Sequence, residues 1–359
     1  MNKPATSDFT GTMPVREKHQ FDAGKLEPYL AANVAGFAGP LTVEQFKGGQ
    51  SNPTYKLITP KKNYVLRRKP PGKLLASAHA VDREYRVITA LAGSKVPVAK
   101  TWCLCTDETV IGTAFYVMDC VEGRVLWEPS LPGLQPEERR AIFLEMNRVI
   151  SELHKVDYAA CGLADYGKPG NYFARQIDRW TKQYRASETE TIDAMDRLIN
   201  WLPANIPPGE ETSIVHGDFR LDNLIFHPAE PRIVAVLDWE LSTLGHPLAD
   251  FSYHCMSWHI PSGMFKGLVG LKLEQLGIPL ETEYVDRYCK ATGRGPIDSS
   301  HWDFAMAYNM FRLAAIAQGI AGRVKEGTAA SAQAKAYGAI AKPLGELGWT
   351  QVEKILKRK

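Results

Sequence analysis

Two short stretches of the chain hold the residue types that phosphate chemistry requires. VHGDFRLDNLIF (residues 215–226) carries His216, Asp218, Arg220 and Asn223, and VAVLDWE (residues 234–240) carries Asp238. The spacing is H-x-D-x-x-x-x-N, with a second Asp fifteen residues further on. Phosphoryl transfer from ATP needs one carboxylate at the acceptor hydroxyl, plus an amide and a carboxylate to hold magnesium. Asp218 is the expected base, placed to accept a hydrogen bond from that hydroxyl. Asn223 and Asp238 offer the oxygen donors a hard cation prefers, one neutral and one charged. Arg220 is close enough to neutralise charge on the transferring group. His216 is expected to pin the loop by hydrogen bonds.

These residues need a strand–loop–strand to hold them and a second region to bind nucleotide. Upstream, the pattern predicts a helix over 21–34, then strands at 41–46, 55–59 and 64–68 separated by the turn-rich segments KGGQSNP and PKKN. A helix over 76–91 and strands at 99–105 and 115–121 follow. That order, β-β-β-α-β-β, is the small lobe of a protein-kinase-like architecture. Beyond residue 123 helical periodicity prevails, over 139–156, 172–187, 191–202, 249–258, 281–291, 302–324 and 332–342. The expected fold class is therefore α+β and bilobal. A flexible tail (1–21) precedes a nucleotide-binding N-lobe (22–122) of antiparallel sheet with one helix. A helical C-lobe (123–359) holds the catalytic loop and acceptor site.

Within the N-lobe, KGGQSN (47–52) joins two strands, and its glycines let backbone N–H groups approach phosphates. Gly48, Gly49 and Ser51 are the candidate contacts, although no Walker A motif occurs. YVLR (64–67) puts Arg67 where a kinase carries its ATP lysine. Arg67 offers a planar, permanently charged fork to phosphates. Lys69, two residues on, is the alternative. Glu84 on the following helix is the expected partner of that cation, against a plainer reading as a solvated helix face. Met118, with backbone groups of Asp119 and Val121, is the candidate adenine pocket.

Composition narrows the partners. The chain has 359 residues, 45% hydrophobic and 23% charged, with a net charge of +3. Interspersed charges give no case for a nucleic-acid partner. Six scattered cysteines form no C-x-x-C pair or zinc spacing, and Cys103 and Cys105 read as buried thiols. No apolar run reaches membrane-spanning length, and the polar start lacks a signal-peptide core, so the expectation is a reduced, cytoplasmic protein.

HGDFRLDN (216–223), LDWE (237–240) and GHPLAD (245–250) together resemble the aminoglycoside phosphotransferase/choline kinase superfamily, from about residue 43 to the last helices. The resemblance implies a protein-kinase-like fold, ATP, magnesium and a small hydroxylated acceptor. It implies Asp218 as base, Asn223 and Asp238 as metal ligands, and a structural role for Asp250. A finer resemblance rests on FKGGQSNPTY (46–55), LRRKPPG (66–72) and HAVDREY (79–85). These look like the phosphotransferases that accompany, or are fused to, acyl-CoA dehydrogenases. The implied acceptor is a hydroxyacyl-CoA, notably the 4-hydroxy kind, and the implied partner an acyl-CoA dehydrogenase. Tyr172, Arg175, Gln176, Trp180, Tyr308, Arg312 and Arg323 are candidates to line the acceptor site, or to be packing. Two alternatives stand beside this: an amino-alcohol, sugar or aminoglycoside acceptor, and a nucleotide-binding pseudokinase acting as a scaffold.

Overall fold

Residues 11–47, 52–70, 80–328 and 332–358 are described by the computed structural model, and the chain divides into two compact units. One comprises Met1–Trp127, Cys161–Leu163 and Asp222–Ser242; the other comprises Glu128–Ala160, Ala164–Leu221 and Thr243–Lys359.

The first unit is built on period-two strands. Among the described residues its main sheet is antiparallel, with the order Thr12–Met13, Thr42–Phe46, Thr54–Ile58, Asn63–Arg68, Phe115–Asp119, Thr101–Cys105. Alternation sends Tyr64 and Leu66 to one face, where they join Tyr55, Leu57, Phe115 and Val117 against Leu26 and Leu30 of the helix Ala23–Asn33. Val65 and Arg67 fall on the other face. The helix Val81–Leu91 is strongly amphipathic and buries Val81, Glu84, Val87, Ile88 and Leu91. Residues 71–79, the expected start of this helix, lie outside the described residues.

Two expectations change here. Residues 11–21, read as part of a loose tail, are tied to the sheet: Thr12–Met13 pairs with Phe46 and Gln45. The cause is Arg68, only 2% exposed, whose guanidinium donates to the carbonyls of His19 and Ile111 and stacks on Phe21. A buried guanidinium needs acceptors, and this segment supplies one. The cut drawn after residue 122 also differs from the division of the chain. Arg124–Val125 pairs with Leu224–Phe226, which pairs in turn with Ile233–Val236, and all three strands belong to the first unit.

The second unit is helical. The helix Ser299–Lys325 is buried all round from Trp302 to Ala315, as a central core helix must be. Pro136–His154, Tyr172–Ala186, Asp193–Ala204, Pro247–Cys255 and Glu281–Thr292 belong to the same unit. A two-stranded ribbon, Ser213–Val215 with Thr243–Gly245, leads into the segment that begins at His216. The helix expected over 332–342 is two helices, Ala332–Gly338 and Ala341–Arg358. Pro343 is tolerated in the second because it stands in the first turn, where the N–H would have no intrahelical partner. Among the described residues no helix is long and apolar enough to cross a membrane.

The connector between the main sheet and Arg124–Val125 permits no side chain at Gly123. A Cβ there would stand 2.2 Å from the Phe226 carbonyl oxygen and 2.5 Å from Ile225 Cγ2. Gly123→Ala is expected to cost roughly 1–3 kcal/mol of stability, the usual range for overpacking. A denaturant midpoint equal to wild type would show that the strand pair yields freely.

Candidate active site

The cation-bearing strand and the LDWE segment meet inside the first unit. Arg67 Nη2 donates to Asp238 Oδ1 at 2.8 Å and lies 3.6 Å from Glu240 Oε2. Its Nε stands 2.8 Å from Glu84 Oε2, a contact of charge, because the N–H is not aligned for a hydrogen bond. Glu84 is held in turn by Asn52 Nδ2 at 2.8 Å and by the Tyr116 hydroxyl at 3.1 Å. Arg67 is 11% exposed and Glu84 2%. Burial works against the arginine charge, but Glu84 and Asp238 outweigh it and hold the guanidinium above its ordinary range. Burial raises the Glu84 carboxyl, with Arg67 opposing.

Asp238 sits in the left-handed region, at φ 61° and ψ 62°. Asp is one of the few side chains that visits this region readily, and the conformation turns the chain sharply out of Ile233–Val236 into the turn Trp239–Leu241. Asn223, buried, ends the turn Leu221–Asn223, and its carbonyl accepts from the Leu237 N–H at 2.8 Å. That bond ties the Asn223 backbone to the residue before Asp238.

Other expected nucleotide contacts fall out differently. Gly48, Gly49 and Ser51 lie outside the described residues. Lys69 does not share the Arg67 strand: the strand ends at Arg68, and the Lys69 N–H donates to the Ala114 carbonyl. Met118 is half-buried and pairs across the sheet with Val65 and Thr101. The Asp119 N–H is taken by the Lys100 carbonyl, and its carboxylate by Trp102 Nε1 (2.5 Å) and Lys62 (2.7 Å). Val121, half-buried, follows the strand end, and among the described residues nothing accepts a bond from its amide.

In the second unit the segment that begins at His216 is fixed from behind by Asp250. Its Oδ2 accepts from the His216 N–H at 2.7 Å and its Oδ1 from the Gly217 N–H at 2.8 Å. His154 Nε2 lies 3.2 Å from Oδ2, and its other ring nitrogen 2.7 Å from the Tyr288 hydroxyl. Burial alone would raise the Asp250 carboxyl, yet His154 and the two amides bring it below its ordinary range. His216 is fully buried, and its Nδ1 accepts from the Asp218 N–H at 3.2 Å. The Asp218 carboxylate is held by Arg220 Nε at 3.2 Å and by the Tyr253 hydroxyl at 2.5 Å. Arg312 Nη2 donates to the Gly217 carbonyl at 2.6 Å. His216, Asp218 and Arg220 are therefore brought together in this unit, and Arg67, Glu84 and Asp238 in the other.

A family model described as the phosphotransferase enzyme family matches residues 42–308. The chain belongs to that family. This phosphotransferase is 60% identical to a Ralstonia eutropha protein of solved structure, provisionally named an aminoglycoside phosphotransferase. The TM-score is 0.87, over 93% of this chain and 99% of that one. It is 47% identical to mouse acyl-CoA dehydrogenase family member 10 over 94% of its own length. It spans only 32% of that relative, and less than half of an Arabidopsis thaliana probable acyl-CoA dehydrogenase (44%) and of mouse acyl-CoA dehydrogenase family member 11 (46%). A thermostable mutant of an aminoglycoside phosphotransferase, solved with AMP-PNP and hygromycin B, has the same fold at 16% identity. There the TM-score is 0.58, over 91% of this chain and 98% of that one. The protein-kinase-like α+β fold is thus established, with its antiparallel sheet N-terminal and its helices C-terminal.

Four residues that hold these side chains within their own units escaped the sequence reading. Asn52 and Tyr116 hold Glu84, and they reach it only through tertiary structure. Tyr253 was legible in principle: it stands three residues after Asp250 on one helix, a spacing that puts both on one side. Glu240 lies inside LDWE itself.

Beneath the loop, burial lowers the His254 imidazole to about 4, with its Nε2 bonded to the Tyr284 hydroxyl. A histidine buried neutral favours folding above its unfolded value of about 6.5, and that stability drains as the unfolded chain takes up a proton. Stability is therefore expected to fall as pH drops from about 6.5 to 4. The fall should be shallower in His254→Gln, read as the slope of melting temperature against pH. Parallel slopes would remove His254 as a contributor.

Proposed function

We propose that this phosphotransferase moves the γ-phosphate of ATP to a hydroxyl of a small metabolite, a 4-hydroxyacyl-CoA. The observation that carries the reading is the buried Arg67 guanidinium lying on both Glu84 and Asp238. Glu84, locked by Asn52 and Tyr116, aims the cation; its planar fork suits α- and β-phosphate oxygens and stays charged at any working pH. The AMP-PNP bound in one fold neighbour agrees with a nucleotide donor.

Asp218 is the proposed base. Its carboxylate is held in one orientation by Tyr253 and Arg220, and would accept the hydrogen bond of the acceptor hydroxyl and orient it for transfer. Arg220 is then placed to meet charge on the transferred group. His216 and Asp250 set the loop and touch no substrate in this reading. Asn223 and Asp238 present the oxygen donors that suit magnesium, and Asp238 is 35% exposed. Bound there, the ion would neutralise phosphate charge. Gly48, Gly49, Ser51 and the Val121 amide complete the proposed nucleotide contacts, with Met118 and Asp119 at the adenine end.

The hydroxyacyl-CoA reading is supported by the relatives named as acyl-CoA dehydrogenase family members. An acyl-CoA dehydrogenase is the proposed functional partner, and the cytoplasm the proposed location. The Ralstonia relative's name favours a second acceptor class, an aminoglycoside.

Purified protein with magnesium–ATP is expected to release ADP with a 4-hydroxyacyl-CoA and add one phosphate to it by mass, but not with kanamycin or choline. Asp218→Asn should lose about 100-fold or more in turnover, in keeping with loss of a positioned base, while binding ATP as wild type does. Transfer to kanamycin alone would move the acceptor class; an unchanged rate in Asp218→Asn would remove Asp218 as base.

A further inference from the structure

One buried charge near Asp218 has a role in holding the loop but takes no part in phosphoryl transfer itself. Arg312 is 6% exposed and among the described residues forms no direct ion pair; against burial its charge is favoured by Tyr308, Tyr172 and Tyr253 and, from further off, by the Asp218 carboxylate. Its one hydrogen bond goes to a neutral oxygen, the Gly217 carbonyl. The guanidinium lies against two rings, with its carbon 5.0 Å from the Tyr253 centroid and 5.6 Å from that of Trp180. Tyr253 is the residue whose hydroxyl holds Asp218. Trp180 is itself buried, and its Nε1–H has no acceptor among the described residues.

A carbonyl can be pinned by a neutral amide. Burying a full positive charge for that purpose is expensive unless an anion or a set of strong acceptors meets it. A buried indole N–H without an acceptor carries a further desolvation cost. Two strong donors that want oxygen therefore stand on the same patch as the tyrosine that orients the base. A second cation, Arg220, contacts Asp218 from its own side. Such a wall disfavours a polycationic acceptor and favours one that brings oxygen.

We propose that Arg312 and Trp180 form an acceptor subsite that recognises a carbonyl or carboxylate oxygen of the substrate, a few bonds from the hydroxyl presented to Asp218. The inference rests on Asp218 as base and deepens the kinase reading: it selects hydroxyacyl compounds over diols, amino-alcohols and aminoglycosides. Tyr253 serves both groups, bonding the base through its hydroxyl and stacking the arginine with its ring.

The test uses the full chain and three matched probes: 4-hydroxypentanoyl-CoA, 4-hydroxypentanoate and 1,4-pentanediol. Binding is measured by calorimetry without nucleotide, and acceptor and ATP KM with magnesium–ATP. Wild type is expected to bind at least one carbonyl-bearing probe about tenfold or more tighter than the diol. A thioester preference would identify the acyl carbonyl as the ligand, and a carboxylate preference the free acid. Arg312→Lys and Trp180→Phe, the latter keeping the ring and losing only the N–H, should each weaken the preferred probe about tenfold, the size of one buried charged hydrogen bond. The ATP KM should stay unchanged. If Arg312→Lys fails to fold, Trp180→Phe decides. The proposal is overturned if the diol binds as well as the other probes, if none binds, or if Trp180→Phe melts and binds like wild type. Dependence of binding on Trp180 without any phosphate transfer would sink the kinase reading and leave the subsite standing.

Discussion

A permanently charged guanidinium out of water must be met by carboxylates, and Arg67 organises the first unit around that demand. Its two close partners come from different parts of the chain, Glu84 from a helix and Asp238 from the end of a strand. Each must be brought to the same strand face. The helix Val81–Leu91 can deliver Glu84 only because its apolar residues bury against the sheet, and LDWE can deliver Asp238 only by turning through a left-handed residue. A lysine at this position would be a point charge, content with one carboxylate. The fork of an arginine spans two, at a separation fixed by its own covalent geometry.

The second unit solves its own problem with the opposite charge. Asp250 is fully buried and ionised, satisfied by two backbone amides and an imidazole. Amide donors come with no side-chain freedom to lose, so the carboxylate fixes the backbone of His216 and Gly217 more firmly than a side-chain contact would. Asp218 follows directly in the chain. Its orientation is thus set twice, through the backbone by Asp250 and through the carboxylate by Tyr253 and Arg220. Tyr288 carries the support a layer deeper, bonding His154 and stacking on Phe251 at 3.8 Å between centroids.

What sequence could show follows the reach of each interaction. The H-x-D-x-x-x-x-N spacing and the LDWE segment are local, and their strand–turn–strand setting was legible from short apolar runs between polar turns. The placement of Glu84 opposite Arg67 needed only helix phase and strand parity. Asn52 and Tyr116 were not legible as Glu84 partners, because no periodicity relates a loop, a helix and a strand that meet at one carboxylate. Residues 11–21 misled for the same reason. A polar segment reads as a tail unless one knows that Arg68, fifty residues away, is buried and needs the His19 carbonyl. Lys69 shows the limit of parity: two residues on is the same face only while the strand continues, and it stops at Arg68.

The two partners of Arg67 are unequal, and the inequality bears on how the site can work. Glu84 is 2% exposed, with both oxygens engaged by Asn52, Tyr116 and Arg67 itself. Moving it would strand a buried carboxylate, which costs several kcal/mol. Asp238 is 35% exposed, at a chain reversal, in a conformation a non-glycine residue holds at some cost. It is the partner that can exchange. In the proposed phosphotransfer an incoming phosphate oxygen would replace Asp238 on the guanidinium while Glu84 keeps the arginine aimed, and the released carboxylate would then be free to take the proposed magnesium ion. On that reading the Arg67–Asp238 ion pair would hold the proposed phosphate fork and the proposed metal-binding carboxylate in mutual charge compensation until ligands take its place.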